Sequence, residues 1–315
     1  MNDIIRSTAL KIATLRGHYV RHERFDPLQA RFRLLIEKQL ADIADGRNAE
    51  AHGIALSGAS GTGKSCAIAQ FIARSRQDLA QSSLPSAAII SLRVPSPATL
   101  KFVGQTILRA LGYHLSSERQ AWYIWDLVRH QLREREVLFL HLDEAQDLST
   151  RGTRHELDAV ASMLKTLMTD EDWPVGTLLS GTQELESILN HDPQLARRMD
   201  TVHFGALSLV SHAPDVAGLI ESYARRADLG LTEDASEIAL AERLIHAAAF
   251  QFGLVIEIII GAIEMALMEG GDHLEWRHFK LAYEVRSSCA DAFNAFVVDD
   301  YHRIDTRQVF KRGDE

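Results

Sequence analysis

The chain has 315 residues, of which 46% are hydrophobic and 24% charged, and its formal net charge is −9. These values suit a globular protein of one or two domains, and they argue against a protein that coats nucleic acid over its whole surface while leaving room for a local basic stripe. No apolar run is as long as a membrane span, no secretory signal opens the chain, and two cysteines cannot form a disulfide framework, so a cytoplasmic protein without a membrane segment is expected.

The first 45 residues are predicted to form a linker and an amphipathic helix at about 28–43. Residues 1–35 carry seven lysines and arginines against three acidic residues. This basic excess suits either a solvated arm or a nucleic-acid contact, and composition does not separate the two. A polar segment at 44–52 leads into the next element.

A complete phosphate-binding loop follows a short apolar strand at 53–57. Its eight residues are Gly58, Ala59, Ser60, Gly61, Thr62, Gly63, Lys64 and Ser65. In this strand–turn–helix context, successive backbone N–H groups point at phosphate, Lys64 reaches the β- and γ-phosphates, and the Ser65 hydroxyl ligates Mg²⁺. The loop therefore predicts a site for ATP and Mg²⁺. Cys66 continues the nucleotide-binding segment and is expected to be a small buried residue rather than a reactive thiol.

The rest of the chain alternates strands and helices and then becomes wholly helical. Apolar runs predict strands at 87–92, 137–142 and 175–180, with helices at 99–111, 117–135 and 154–169 between and after them. This alternation predicts an α/β fold with a doubly wound parallel sheet. After Pro214 the strand signals stop, and helices are predicted at 215–228, 236–249, 253–269 and 275–286. The predicted divisions are an N-terminal linker and helix at 1–45, a nucleotide-binding core at 46–210, a small all-helical lid at 211–290, and a loosely held tail at 291–315.

The most strand-like run of the sequence ends in two acidic residues, Asp143 and Glu144. A carboxylate at the end of a strand beside a phosphate loop can hold Mg²⁺, and a second one can activate the attacking water. Asp143 is therefore assigned to the metal and Glu144 to the water. The structural alternative is an acidic pair that caps the following segment.

Two later motifs supply candidates for sensing and completing the nucleotide site. The strand at 175–180 leads to Thr182, which we assign as the sensor of the γ-phosphate and water, with Ser180 as the fallback. A helix N-cap is the alternative role for Thr182, and the two roles are compatible. Arg197 and Arg198 end a short helix. In a ring or filament one of them can stabilise the neighbour's transition state, and the spacing favours Arg198, whereas in a single subunit both are expected to be surface cations.

Together these motifs resemble those of AAA+ ATPases, and more narrowly those of the TniB/TnsC type of transposition ATPase. The segments that carry the narrower resemblance are Tyr19-Val20-Arg21-His22, Val94-Pro95-Ser96-Pro97, Ile107–Gly112, Asp143-Glu144-Ala145-Gln146, Gly181-Thr182-Gln183-Glu184, and Asp192-Pro193-Gln194-Leu195 with Arg198. The resemblance covers roughly residues 17–290. It implies a P-loop AAA+ core followed by a helical lid, with the linker at Val20 helping to enclose the adenine.

The resemblance also implies partners. Proteins of this kind assemble as ATP-dependent rings or helical filaments around duplex DNA, recruit or activate a DDE-type transposase, and often answer to a TniQ-type target-selection protein. The implied DNA contacts are Arg93, Thr99 and Lys101, which would hold the phosphate backbone without reading sequence. A solvated helix lysine is the alternative for Lys101.

The chain departs from the family pattern in its lid. No arginine stands at the usual second sensor position, and Glu257 offers an acid where a cation is expected. Hydrolysis is therefore expected to be slow and stimulated by DNA or partners. Asn294-Ala295-Phe296 lacks the proline of the Asn-Pro-Phe-like element that ends many members.

The leading hypothesis is a transposition regulator in which ATP binding builds a DNA-bound oligomer and hydrolysis dismantles or redirects it. An ExeA-like secretion ATPase is one alternative, although the membrane span and peptidoglycan-binding region common in that class are not visible. A non-catalytic nucleotide-binding scaffold is another. A replication initiator or helicase loader uses the same core, but no obvious winged helix follows the lid.

Overall fold

The computed structural model describes residues 2–20, 25–81, 88–96, 98–149 and 153–306. The chain divides into two compact units. The sheet unit comprises Arg21–Ala59 and Lys64–Phe204, and the helical unit comprises Met1–Val20, Ser60–Gly63 and Gly205–Glu315. The predicted N-terminal region 1–45 is split between them, because its first helix belongs to the helical unit and its second to the sheet unit.

The sheet unit is built on five parallel strands. They are β1 (Gly53–Gly58), β2 (Ile89–Arg93), β3 (Phe139–Asp143), β4 (Gly176–Gly181) and β5 (Met199–Phe204). Their order across the sheet is β2-β3-β4-β1-β5. The predicted parallel sheet is therefore confirmed, and the sequence pattern misses only β5 among these strands. That edge strand alternates buried with more exposed residues and lacks the continuous apolar run that marks a central strand.

Helices cover both faces of this sheet. The sheet-unit helices are α2 (Phe25–Ala44), α3 (Lys64–Gln81), α4 (Leu100–Ala110), α5 (Ala121–Glu134), α6 (Arg154–Met168), α7 (Leu185–His191) and α8 (Pro193–Ala196). Phe139 of β3 packs with Phe32 of α2, which also meets Phe71 of α3. The next side chain, Leu140, joins a separate buried cluster with α4 to α7. Because successive strand residues point to opposite faces, α2 and α3 lie on one face and α4 to α7 on the other.

The helical unit gathers the first helix and the C-terminal third of the chain. Its helices are α1 (Asn2–Gly17), α9 (Leu209–Arg226), α10 (Ile238–Ala247), α11 (Phe252–Met268) and α12 (Trp276–Ser287). Two features correct the prediction. Helix α9 begins before Pro214 and includes it, because the Ser208 hydroxyl caps the first turn by accepting from Ser211 N at 3.3 Å. A pair of two-residue parallel strands, β6 (Gly230–Leu231) and β7 (His273–Leu274), is also present.

The segment after α12 is packed onto this unit rather than loosely held, which corrects the predicted tail as far as residue 306. Asn294, Ala295 and Phe296 are buried, and the Trp276 indole donates to Phe296 O at 2.9 Å. Arg243 donates to two backbone carbonyls of the same segment. The prediction of a loose tail was wrong because it relied on the polar composition of this segment. The composition does not show that the backbone carbonyls of the segment accept hydrogen bonds from Arg243 and Trp276. Residues 307–315 of the predicted tail lie outside the described residues.

Among the described helices, no single one is long and apolar enough to cross a membrane. The consecutive pair α10 and α11 passes that test together on length and composition, but the two helices are bent by 115° relative to each other.

Candidate nucleotide site

The phosphate loop joins the end of β1 to the start of α3, as its sequence predicts. Gly61 and Gly63 adopt φ angles of +81° and +88°, a left-handed conformation that glycine enters without steric penalty. Lys64 is buried, and its Nζ donates to Gly58 O at 2.7 Å and to Ala59 O at 2.8 Å. Burial lowers the pKa of Lys64, while the charges of Glu144 and Asp143 oppose that shift. Lys64 is thus held by two backbone carbonyls of the loop that is predicted to bind the phosphate.

The loop segment Ser60–Gly63 contacts the first turn of α11 within the helical unit. Leu254 N donates to Gly61 O at 3.2 Å. A Cβ on Gly253 would lie 2.6 Å from Gly61 O, so this approach requires glycine at 253. The sequence pattern singles out this segment only for its missing arginine. The signal it misses is Gly253 itself, a glycine in the first turn of an otherwise strongly apolar helix.

The Asp143 carboxylate accepts hydrogen bonds from hydroxyl groups of two other elements. Ser65 Oγ lies 3.1 Å from Asp143 Oδ2, and Ser180 Oγ lies 2.5 Å from Oδ1. The strand register places Asp143 directly beside Ser180. Mg²⁺ prefers oxygen ligands, usually one or two protein groups with substrate phosphates and waters. The hydroxyl of Ser65 and the carboxylate of Asp143 fit that requirement.

Glu144 follows with a φ angle of +54°, which is uncommon for a residue other than glycine. Its Oε2 accepts from Gln146 Nε2 at 2.8 Å, and its Oε1 lies 3.5 Å from an Arg93 guanidinium nitrogen. Gln146 Oε1 in turn accepts from Thr182 N at 3.1 Å. The amide of Gln146 therefore ties the predicted water-activating carboxylate to the predicted sensor. The sequence pattern contains Gln146 as a motif residue but assigns it no role.

The two sensor candidates differ in what their hydroxyl groups do. Thr182 Oγ1 is buried and makes no hydrogen bond within the described part of the chain. The Thr182 side chain does not cap α7, since only its backbone carbonyl accepts from Leu185 N. The Ser180 hydroxyl is engaged by Asp143 and His141. A buried hydroxyl without a partner is costly unless a ligand satisfies it, which favours Thr182 over Ser180 as the sensor.

His141 lies two residues before Asp143 on β3 and is almost completely buried. Its Nδ1 lies 2.8 Å from Ser91 Oγ and its Nε2 lies 2.9 Å from Ser180 Oγ. Burial lowers the pKa of His141 to about 4, against the opposing charge of Asp143. The ring is therefore neutral at pH 7. The sequence pattern assigns His141 no role, although a histidine within an otherwise apolar strand could have drawn attention to it.

The two candidate arginines lie in different environments, and only one is the surface cation expected of both. The Arg198 side chain is 6% exposed and donates to Gln194 O at 2.6 Å and to Glu50 Oε1 at 2.7 Å. The Arg198 guanidinium lowers the pKa of Glu50. The Arg197 side chain is 65% exposed. The backbone carbonyl of Arg198 accepts from Gly53 N, which fixes it beside the start of β1.

The predicted DNA contacts are distributed along β2 and α4. Arg93 ends β2 with its side chain 74% exposed. Thr99 caps α4, its hydroxyl accepting from Phe102 N at 3.2 Å. Lys101 is not simply solvated, because its Nζ lies 2.5 Å from a Glu118 carboxylate oxygen. Thr99 and Lys101 also line one surface pocket.

Two smaller predictions remain. Val20 is partly buried against the core of the helical unit, whereas residues 21 and 22 of the same predicted linker lie outside the described residues. Cys66 is exposed, contrary to the expectation of a buried residue. Helix α3 buries the stripe formed by Ala67, Ile68 and Phe71, and Cys66 lies off that stripe.

Comparisons with known proteins agree with this geometry. Residues 16–208 match the family described as "Bacterial TniB protein". No curated protein matches the chain at a significant level. Among solved structures, the Aeropyrum pernix ORC1 protein in complex with DNA is similar, with a TM-score of 0.64 and 16% identity over 85% of this chain and 67% of that one. Cdc6p from Pyrobaculum aerophilum has a TM-score of 0.62 and 16% identity over 87% of this chain and 70% of that one. The Aeropyrum pernix ORC2 protein with ADPNP and ADP has a TM-score of 0.61 and 17% identity over 85% and 68%. At these identities the likeness concerns the fold alone, and it confirms the predicted AAA+ fold.

Proposed function

Because the chain belongs to the TniB family, we propose that it is an ATP-dependent regulator of DNA transposition that oligomerises on duplex DNA. The AAA+ fold and the family are those of nucleotide-dependent ATPases. The observation that carries the proposal is the hydrogen bond from the Ser65 hydroxyl to the Asp143 carboxylate at 3.1 Å, beside the phosphate-binding loop. These two groups supply the protein side of an Mg²⁺–ATP site.

In the proposed mechanism, the loop backbone N–H groups bind the phosphates and Lys64 exchanges its two carbonyl contacts for phosphate oxygens. Ser65 and Asp143 would hold Mg²⁺, which neutralises charge on the phosphates when bound. Glu144 orients the attacking water and accepts its proton. The buried Thr182 hydroxyl donates to the γ-phosphate or to that water, which gives this group the partner it otherwise lacks.

DNA is proposed to stimulate hydrolysis through Arg93. Its guanidinium lies 3.5 Å from Glu144 while remaining mostly exposed, so a DNA phosphate can compete for it. Release of Arg93 would free Glu144 to act as a base. An exposed ion pair contributes only about 0.2–1 kcal/mol, so this restraint slows turnover by roughly fivefold at most. Thr99 and Lys101 are proposed to contact the same phosphate backbone.

Assembly is proposed to complete each site with an arginine from the neighbouring subunit. Arg198 is the candidate that the family spacing favours, yet its guanidinium is engaged by Glu50 and Gln194 within its own chain. Arg197 is exposed and meets Glu50 only at 3.9 Å. The trans role therefore requires either release of Arg198 on assembly or its replacement by Arg197. A DDE-type transposase and a TniQ-type protein are the proposed partners of the assembled form.

Electron microscopy with duplex DNA tests the proposal most directly. We expect rings or filaments with a slowly hydrolysed ATP analogue and none with ADP. Lys64→Ala should abolish assembly, whereas Lys38→Ala, an exposed lysine outside the site, should leave it intact. Glu144→Gln should assemble but stall turnover. Normal filaments from Lys64→Ala, or none from the wild-type protein that binds the analogue, would refute the proposed switch.

A further inference from the structure

We infer that Ser91, His141 and Ser180 form a hydrogen-bonded relay that fixes the orientation of the Asp143 carboxylate for Mg²⁺. His141 is then a positioning residue, which touches neither nucleotide nor metal. The inference deepens the proposed function and rests on it, since it concerns the same Mg²⁺–ATP site. It adds a requirement that lies on three neighbouring strands rather than in any contiguous motif.

The sheet register brings the four side chains together. Ser91 of β2 is the direct neighbour of His141 on β3, and Asp143 is the direct neighbour of Ser180 on β4. His141 and Asp143 are two residues apart, so both point to the same face of the sheet. The heavy-atom distances from one side chain to the next in the relay are 2.8 Å from Ser91 Oγ to His141 Nδ1, 2.9 Å from His141 Nε2 to Ser180 Oγ, and 2.5 Å from Ser180 Oγ to Asp143 Oδ1.

With an ionised Asp143 and a neutral His141 ring, these groups allow only one arrangement of the hydrogens. An ionised carboxylate only accepts hydrogen bonds, so the Ser180 hydroxyl must donate to Asp143. Ser180 Oγ then accepts, and the proton on His141 must be at Nε2. The bare Nδ1 accepts in turn from the Ser91 hydroxyl. Every member has a partner and a defined direction, which is the condition under which a buried polar network orients its terminal group.

The relay holds Oδ1 of Asp143, and Oδ2 accepts a hydrogen bond from Ser65. One oxygen is held by Ser180 from within the sheet, while Oδ2 meets the hydroxyl that begins α3. If Ser180 loses the donor from His141, its hydroxyl can rotate away from Oδ1, and the carboxylate can turn. Groups that orient a metal ligand in this manner typically change metal affinity or activity by about 10- to 100-fold when removed.

A purely structural role for the same residues predicts a different result. Buried polar residues of a sheet can serve only to satisfy one another, and their loss would then lower stability without altering Mg²⁺ binding. Thr177 supplies the matched control, because it is a fully buried hydroxyl on the same strand as Ser180 whose side chain contacts the sulfur atoms of Met168 and Met199. It is an odd number of residues from Ser180 and so points to the opposite face.

The test measures binding of a fluorescent ADP analogue by the full chain, with EDTA and over a titration of Mg²⁺, beside thermal melting. We expect His141→Leu and Ser180→Ala to raise the Mg²⁺ concentration for half-maximal enhancement of binding by about tenfold, with affinity in EDTA unchanged. His141→Gln keeps a donor near the position of Nε2 and should restore most of the response. Thr177→Val should bind Mg²⁺ like the wild type, whatever its melting temperature.

The outcomes separate the relay from the proposed function. Folded His141→Leu and Ser180→Ala proteins with a wild-type Mg²⁺ response would overturn the relay, as would an equal shift in Thr177→Val. Should His141→Leu fail to fold, Ser180→Ala and Ser91→Ala decide the question with the imidazole retained. A wild-type protein that binds nucleotide without any response to Mg²⁺ also overturns the relay. A wild-type protein that binds no nucleotide at all refutes the proposed function itself.

Discussion

Replacing Gly181 by alanine should slow ATP hydrolysis while leaving ATP binding intact. A Cβ on Gly181 would lie 2.3 Å from Gln146 Oε1, far inside any real contact distance. The Gln146 amide must therefore rotate, because the backbone of β4 is held by its neighbours on both sides. That rotation breaks the bond from Thr182 N at 3.1 Å and the bond to Glu144 at 2.8 Å.

The magnitude follows from these two hydrogen bonds. The bond to the Glu144 carboxylate is charge-assisted and partly exposed, and the bond from Thr182 N is an ordinary one. Together they contribute about 2 kcal/mol to the position of the water-activating group. If that position is needed in the transition state, Gly181→Ala should lower kcat by roughly 30-fold.

A double-mutant cycle with steady-state ATPase assays tests this reasoning. Gln146→Ala removes the atom that the new Cβ would meet, so the double variant Gly181→Ala/Gln146→Ala should be no slower than Gln146→Ala alone. Gly218→Ala serves as the control, because a Cβ at that helix position meets no atom of the described residues within 4 Å. It should leave kcat unchanged and raise stability by about 0.5–1 kcal/mol. Additive losses from Gly181 and Gln146 would show that Gln146 is not the route.

Three further predictions follow from other contacts. Arg93→Ala should raise ATPase turnover without DNA by about two- to fivefold and weaken stimulation by DNA, since it removes an exposed ion pair; unchanged basal turnover would exclude the restraint. Arg198→Ala should lower the free energy of unfolding of the monomer by about 1–3 kcal/mol, whereas Arg197→Ala should change it by less than about 0.5 kcal/mol, as urea titration would reveal. If Arg197→Ala alone loses turnover in the oligomer, the trans arginine is Arg197. Burial lowers the pKa of His246 below its ordinary value of 6.5, so its contribution to stability is complete above about pH 6.5 and declines as the pH falls through the folded pKa. His246→Gln should make the decline in melting temperature between pH 7 and pH 5 shallower without abolishing it, because the pKa of buried His141 is also lowered; a wild-type slope in that variant would contradict the assignment.

Contiguous motifs could be predicted from the sequence because their function depends on residues that are neighbours in the chain. The phosphate loop needs only a strand before it and a helix after it, and the acidic pair needs only a strand end. Strand β5 and the short β6–β7 pair escaped because they lack a continuous apolar run. The segment 291–306 escaped because backbone hydrogen bonds to Arg243 and Trp276, rather than apolar patterning, hold much of it in place.

Residue order alone determined the phosphate loop, the carboxylates at the end of β3 and the parallel α/β class, since each follows from local spacing and the alternation of strands and helices. Only the tertiary structure decided which groups those residues would meet. Strand register placed Ser91, His141 and Ser180 in line with Asp143, although about 90 positions separate the first from the third. Folding likewise buried Arg198 and left Arg197 exposed, although the two are adjacent in sequence. Hydrogen bonds across a sheet depend on register and side-chain direction, which are settled only when the strands pair.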